Sequence, residues 1–265
     1  MTGSRPCSIR RPIASRTRRP VPLYDRILYK VSGEALMGSQ GFGIDPQAVA
    51  RIADDVAAVR AAGVQLAIVV GGGNIFRGVA LAARGTADRV TGDYMGMLAI
   101  VMNAMALRMA FEARGVDTVV LSGLAVPAAV ETFTQRGLVQ HRDAGRVIVF
   151  AGGTGSPFFT SDTGAALRAA EFGAQAILKG TQVDGIYSAD PREEPDAERF
   201  ERMTHTDVLE RGLGVMDATA VAMARDNDID IMVFSIERPD ALQNVLEGEG
   251  TFTTVTSREA RHATT

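Results

Sequence analysis

Cysteine occurs once in the 265 residues, at Cys7, and lysine only twice, at Lys30 and Lys179. A lone cysteine ahead of the first strand-like run leaves the core no disulfide and no thiolate for metal binding or nucleophilic attack, which fits a reducing, cytoplasmic setting. The longest apolar stretch, Met97 to Phe111, is interrupted by Asn103 and Arg108 and stops short of the ~20 residues needed to cross a bilayer. No membrane partner is expected. The Walker A pattern GxxxxGK[ST] is missing, because Lys30 follows Tyr29 and Lys179 follows Leu178, so a P-loop is excluded. GxGxxG after a strand and the GxSxG elbow are missing too, which leaves a Rossmann dehydrogenase and an α/β-hydrolase without support. His141, His205 and His262 are too far apart for a metal-spaced set and read as ordinary surface residues.

What is present is a globular composition. A chain of 28.1 kDa with 46% hydrophobic residues can bury the core of one α/β domain or of two lobes. The formal charge is −3, but residues 1–22 carry six arginines and no acid, leaving −9 on the remainder. The basic stretch is broken by proline and reads as a disordered extension or an upstream start, with an organellar leader or contact with phosphate or nucleic acid as alternatives. No specific nucleic-acid partner is expected. The folded domain is assigned to residues 23–256, with 257–265 as a short tail.

From Arg26 onward, apolar runs alternate with helical patterns. RILYKVS, VQLAIVV, VDTVVLS, RVIVFAGG, QAILKG and DIMVFS read as buried strands, and TFTTV as a short last one. Helices are expected over Asp45–Ala62, Asp93–Arg114, Ser161–Phe172, Asp207–Arg211, Asp217–Asp226 and Pro239–Glu247, the first with Asp45 as N-cap and Pro46 at its first position. Continuous apolar strands between helices predict a three-layer α/β/α sandwich around a central, mainly parallel sheet.

Ligands of such sheets bind beyond the carboxyl ends of the strands, and there the glycines gather: Gly33, then Gly71 to Gly73, then Gly152, Gly153 and Gly155. Each taken singly reads as a tight turn. Together with Lys30 and Lys179 at strand ends, Arg77 after the triple glycine and acids at Asp93, Asp162, Asp184 and Asp190, they form a phosphate-handling inventory without a nucleophile. Phosphoryl transfer needs that inventory, since its catalysis is positioning plus charge neutralisation. A cation about 4 Å from a phosphate charge contributes about 4 kcal/mol at an effective dielectric of about 20. The plain alternative for the lysines is a pair of buried ion pairs, for Arg77 and Asp93 a surface pair, and for Asp184 a turn cap. Asp217, in GVMDATA, reads as an N-cap for the helix that follows.

KVSGEAL, GFGIDP, VVGGGNIFRG, DYMGMLAIVMNAMAL, GTGSPFFTSDT and KGTQVDGIYSADP resemble, in order and spacing, the motifs of the bacterial uridylate (UMP) kinases of the amino acid kinase superfamily. The resemblance spans about residues 25–255. It implies the amino acid kinase-like fold, a cytoplasmic homohexamer, and transfer of the γ-phosphate of ATP, with magnesium, to UMP, at the entry to UTP and CTP synthesis. By position it implies that Lys30, Val31, Ser32, Gly33, Gly73 and Arg77 hold ATP phosphates and that Thr181, Tyr187 and Asp190 line the ATP nucleoside site. Gly72, Asp93 and the loop Thr154, Gly155, Ser156, Pro157, Phe158, Phe159, Thr160 and Ser161 are implied to hold UMP. Lys30, Lys179, Asp162 and Arg77 are implied to be catalytic, with Asp162 orienting the lysines, and Asp217 resembles a family acid near the active site. No protein side chain is expected to bind the metal, which ATP carries. Gly41, Phe42, Gly43, Ile44, Asp45 and Pro46 resemble the segment where GTP activates, and UTP is the implied inhibitor. Ser156, the segment Gly123–Gly145 and the basic tail depart from the family pattern.

Two other readings are kept. One is a superfamily kinase acting on a carboxylate or another phosphate monoester, separated by a screen of acceptors. The other is an ATP-binding molybdenum-storage-like or regulatory protein, separated by metal analysis.

Overall fold

Strand-forming apolar runs of four to six residues, each bounded by glycine or a polar turn, make up the centre of the computed structural model, which describes residues 21–76, 88–191, 193–194 and 196–257. They are β1 (Arg26–Val31), β2 (Gln65–Val70), β3 (Thr118–Ser122), β5 (Val147–Ala151), β6 (Ala176–Thr181), β10 (Asp230–Ser235) and β11 (Phe252–Val255), joined by the two-residue strands β4 (Glu131–Thr132) and β9 (Arg202–Met203). The sheet order is β4-β3-β5-β2-β1-β6-β10-β11-β9. Its pairings are parallel except that of β10 with β11. A separate hairpin pairs β7 (Ile186–Tyr187) with β8 (Arg199–Phe200).

Parallel neighbours require crossovers, and these cover both faces. Against one face lie α1 (Pro46–Ala61), α2 (Arg89–Glu112) and α7 (Ala241–Leu246); against the other lie α3 (Gln135–Asp143), α4 (Ser161–Phe172), α5 (His205–Arg211) and α6 (Ala218–Asp226). The two-residue period of β1 divides its side chains accordingly: Ile27, Tyr29 and Val31 join the α1–α2 core, whereas Leu28 joins the α4–α6 core. In β6, Leu178 faces the first core and Ile177 the second. The expected three-layer sandwich is the observed one.

Local chemistry sets the helix ends. Asp45 caps α1, its Oδ1 accepting from the Gln47 amide at 2.9 Å, with Pro46 next, as expected. The second helix starts at Arg89 and not at Asp93, because Asp88 serves as N-cap and accepts from the Thr91 amide at 3.0 Å. By length and composition α2 would suffice to cross a membrane, yet Ile100, Val101, Ala104, Leu107 and Phe111 belong to the sheet core. Its other side exposes Leu98, Met102 and Met109.

Three further points differ from the sequence reading. Helix α3 was not anticipated: of its nine residues only Gly137 and Leu138 are buried, so it carries almost no apolar periodicity. The helix expected from Pro239 is shorter, beginning at Ala241 after Asp240 in a left-handed conformation. His205 is a core residue and not a surface one, 1% exposed, with its ring nitrogens bonded to Ser257 Oγ and the Ile229 carbonyl; burial pulls its pKa below the usual histidine value, partly opposed by that carbonyl.

Candidate active site

The two lysines stand side by side. Residues 30 and 179 are direct register partners on the adjacent parallel strands β1 and β6, and neighbouring strands lie about 4.8 Å apart. The alternation that sends Tyr29 and Leu178 into one core sends both lysines to the opposite face, beneath the N-terminus of α4. Lys30 is only 7% exposed. Two buried ammonium groups this close demand an anion, and Asp162, in the first turn of α4, supplies it: its Oδ1 is 2.6 Å from Lys30 Nζ and its Oδ2 3.1 Å from Lys179 Nζ. The ammonium of Lys179 also donates to the carbonyl of Val215.

Burial works against ionisation of Asp162, but the two ammonium groups outweigh it and hold the carboxyl below the usual carboxylate range. That interaction stabilises the fold above the ordinary carboxylate pKa and is lost as pH falls through the lower folded value. Lys179 is shifted downward, first by burial, with Lys30 adding to the shift and Asp162 opposing it. Helix α4 contributes further positive potential at its N-terminus. Thr160 caps it, accepting from the Asp162 and Thr163 amides at 3.1 Å each. Its hydroxyl donates in turn to Asp217, which also accepts from Thr163 Oγ1 at 2.9 Å and from the Ala220 amide at 3.0 Å as the cap of α6.

Beside β1 the backbone closes tightly. A Cβ on Gly33 would come within 2.7 Å of the Gly71 carbonyl and 2.8 Å of Asn74 Oδ1, and one on Gly72 within 2.8 Å of the Gly96 carbonyl in α2; real Cβ atoms do not approach so closely, so both positions need glycine. Around Gly73 there is open space. Ser32 caps the 3₁₀ turn Gly33–Leu36, its Oγ accepting from the Glu34 amide at 3.3 Å.

Opposite lies the loop after β5. Thr154 folds it back, its hydroxyl donating to the Ser156 carbonyl at 3.1 Å and accepting from the Ser156 amide at 3.2 Å. Phe158 has φ +70°, a conformation that costs about 1–3 kcal/mol and persists only where neighbours impose it. Asp93 is that neighbour, accepting from the Phe158 amide at 2.7 Å while its oxygens also receive Arg89 Nε at 2.9 Å. The Arg89 guanidinium lies 5.6 Å from the Phe158 ring centroid.

Two cavities flank this junction. One, of about 650 Å³, is lined by Gly72, Gly73, Asp93, Thr154, Ser156, Phe159, Thr160 and Ser161 among others. The second, of about 620 Å³, is lined by Ser32, Thr181, Tyr187, Asp190 and Gly212 among others. Glu34 lines both. Gly72, Asp93 and most of the loop predicted for UMP thus line the first chamber, and Ser32, Thr181, Tyr187 and Asp190, predicted for ATP, line the second, but Gly73, predicted for the ATP phosphates, lines the first; Lys30, Lys179 and Asp162 line neither. Gly155, Pro157 and the exposed Phe158 lie along the first loop outside that lining, and Val31 is buried at the end of β1. Tyr187 donates from its hydroxyl to Asp184 at 2.7 Å, so Asp184 serves a side chain as well as a turn. In the stretch Gly41 to Pro46, Gly41 and Gly43 have positive φ and Phe42 is exposed. Arg77 lies outside the described residues.

Sequence reasoning missed Glu34, the Arg89 partner of Asp93, and the threonine contacts that make Asp217 more than a cap. It also missed the buried amides Asn74 and Asn103, although Asn103 had announced itself as a break in the longest apolar run. Among the described residues no group of three or more His, Cys, Asp and Glu side chains converges as a metal site; Asp162 and Asp217 are committed to lysine and threonine partners.

A parallel α/β sandwich with paired strand-end lysines clasped by a helix-borne aspartate, beside glycine-rich turns, defines a phosphate-handling protein of the kinase type. The chain belongs to the amino acid kinase family, whose profile matches residues 25–235, and within it groups with the uridylate kinases. It is 61% identical over 235 residues to the uridylate kinase of Sinorhizobium medicae, covering 89% of this chain and 98% of that one, and 60% identical over 232 residues to that of Bartonella henselae, covering 88% and 97%. The crystal structure of UMP kinase from Ureaplasma parvum superposes with a TM-score of 0.84 at 36% identity, over 88% of this chain and 98% of that one. UMP kinase from Bacillus anthracis gives 0.84 at 32%, over 91% and 98%.

Proposed function

We propose that this protein is an ATP:UMP phosphotransferase, forming UDP and ADP in pyrimidine nucleotide synthesis. The observation that carries the reading is the Lys30–Asp162–Lys179 cluster, within two residues in the chain of Ser161 in one nucleotide-sized chamber and Ser32 in the other, in a chain about 60% identical to uridylate kinases. ATP lies with its nucleoside against Thr181, Tyr187 and Asp190 and its phosphates over Lys30, Ser32, Gly33 and Gly73. UMP lies against Gly72, Asp93 and Thr154 to Ser161. An oxygen of the UMP phosphate attacks the γ-phosphorus, the bond from that phosphorus to the β,γ-bridging oxygen breaks, and ADP leaves with the electron pair. The attacking oxygen is already anionic, so no general base is needed, and catalysis consists of alignment and charge neutralisation. Lys30 and Lys179 carry that neutralisation, Asp162 aims them, and Arg77 adds a cation from beyond the triple glycine.

ATP enters as its magnesium complex. Magnesium favours oxygen ligands, retains waters and is commonly held by substrate phosphates with few protein carboxylates, which suits a site whose acids are already engaged. The exposed apolar side of α2 supplies a subunit contact in a homohexamer. GTP activates through Gly41 to Pro46, UTP inhibits, and the enzyme is soluble and cytoplasmic, with residues 23–256 as its one catalytic domain.

The test is ADP release from magnesium–ATP with UMP, CMP, dTMP, acetylglutamate or no acceptor. Turnover with UMP far above the others is expected. Equal release without UMP, or preference for acetylglutamate, would remove the assignment, and velocities unchanged by added GTP would remove the activation.

A further inference from the structure

Two asparagines are buried with only amide and carbonyl partners. Asn74 is 1% exposed and Asn103 fully buried, the latter in the middle of α2 among apolar neighbours. Each NH₂ donates twice. Asn103 Nδ2 donates to the Gly71 carbonyl at 2.7 Å and to Asn74 Oδ1 at 2.7 Å; Asn74 Nδ2 donates to the Gly43 carbonyl at 2.8 Å and to Asn103 Oδ1 at 3.0 Å. All four amide hydrogens are therefore used. The Gly43 amide returns a bond to the Asn74 carbonyl at 2.8 Å. A buried amide deprived of its partner costs about 1–3 kcal/mol, whereas apolar side chains at both places together would avoid that mutual demand, so packing alone does not account for the pair.

The pair occupies the junction of three parts. The Gly71 carbonyl belongs to the turn that faces the open chamber at Gly73, and the Gly71 amide bonds the Val31 carbonyl, next to Lys30, at 3.0 Å. Gly33, just beyond β1, fits against both the Gly71 carbonyl and Asn74 Oδ1 with no room for a Cβ. Helix α2 carries Asp93 ten residues before Asn103, about 15 Å along the axis. We infer that Asn74 and Asn103 are positioning residues for phosphoryl transfer: their mutual bonds fix the Gly71–Gly73 turn relative to Lys30 on one side and to the Asp93-bearing helix on the other. Neither side chain touches substrate, and both act through the Gly71 carbonyl and the Gly43 backbone.

The inference rests on the proposed reading that this turn faces the transferred phosphate. Its test uses full-length Asn103→Ala and Asn74→Ala beside Leu107→Ala, a fully buried residue of the same helix away from the site. A structural role alone predicts that all three lose stability and none loses turnover well below its melting midpoint. A positioning role predicts that kcat with ATP and UMP falls about ten- to hundredfold in the asparagine variants, with both KM values within about threefold and with Leu107→Ala near wild type. Hydrogen exchange of the Gly71 to Phe76 amides should quicken in Asn103→Ala and not in Leu107→Ala. A kcat no lower than that of Leu107→Ala, or exchange at the turn equal to wild type, overturns the inference. If Asn103→Ala does not fold, Asn74→Ala carries the same expectations. Wild-type protein that does not turn over UMP would instead sink the proposed function, while the exchange experiment still decides whether the pair holds the turn.

Discussion

On one wall of the cleft the functional groups are strand residues whose place is fixed by sheet register; on the other they hang from a loop and a helix end. Lys30 and Lys179 are partners across β1 and β6, closed in by Asp162. The acceptor wall has Phe158 and Phe159 largely exposed, and its backbone is pinned by Asp93 and by Thr160. The donor wall is therefore set before any ligand arrives, because parallel pairing fixes the lysine backbones and Asp162 and the Val215 carbonyl hold the ammonium groups. The acceptor wall is held by side chains and by turns of the loop itself rather than by a strand ladder. The first kind of wall suits charge that must lie in one place at the transition state, and the second suits a surface that must admit and release a substrate.

If that contrast is right, the largest loss comes from the strand side. Lys30→Ala should lower kcat by about 10³-fold, in the range seen when a single preorganised charge-stabilising group is removed, with KM for UMP little altered. Lys30→Arg should not restore it, since the forked guanidinium does not fit the space of a compact ammonium. Steady-state kinetics with varied UMP checks both, and a rise in KM with kcat intact would mean that the lysine only binds.

Next in size is Asp162→Asn, expected to lower kcat by about 10²-fold by leaving two buried ammonium groups facing each other. Burial already depresses the Lys179 pKa and Asp162 opposes that shift. Without the carboxylate the pKa falls further, and the protonated form is lost at lower pH. The alkaline limb of the kcat profile should thus move toward acid; a limb that stays or moves toward alkali would show that Asp162 does not control the lysine.

On the loop side, Asp93→Ala should release the Phe158 amide and Arg89 together, raising KM for UMP about tenfold with a smaller change in kcat, as loss of ground-state binding requires. An equal fall in kcat would erase the distinction between the two walls. Smallest is Thr160→Ala, which removes an N-cap worth about 1 kcal/mol along with the hydroxyl contact to Asp217, and should lower the melting temperature by a few degrees, read by calorimetry.

Legibility in the sequence followed the same division. The strands were readable because apolar runs between glycines have few other fates, and β1, β2, β3, β5 and β6 lie where RILYKVS, VQLAIVV, VDTVVLS, RVIVFAGG and QAILKG placed them, whereas the two-residue β4 carries no such run. Helix α3 was not readable, because a helix that buries one leucine leaves no periodic mark. His205 was misjudged because a histidine beside acids looks like surface until Ser257 and the Ile229 carbonyl, both distant in the chain, close on its ring. In the site, the lysines stood out through scarcity and the glycines through their position after strands. Glu34 did not stand out, since nothing local distinguishes an acid shared by two cavities from any solvent-facing one.

By itself, the sequence determined the kind of architecture and the chemical inventory: apolar strand runs, glycine turns, two lysines, one well-placed aspartate, and motifs shared with the uridylate kinases. These depend on neighbours in the chain and on residue chemistry. Tertiary structure alone decided that Lys30 lies opposite Lys179, that Asp162 reaches both, and that Asn74 and Asn103 close their four amide bonds across the glycine turn. The partners in those contacts are separated by 17 to 149 positions in the chain, and only the register of the parallel sheet and the packing of α2 and α4 on its two faces bring them together.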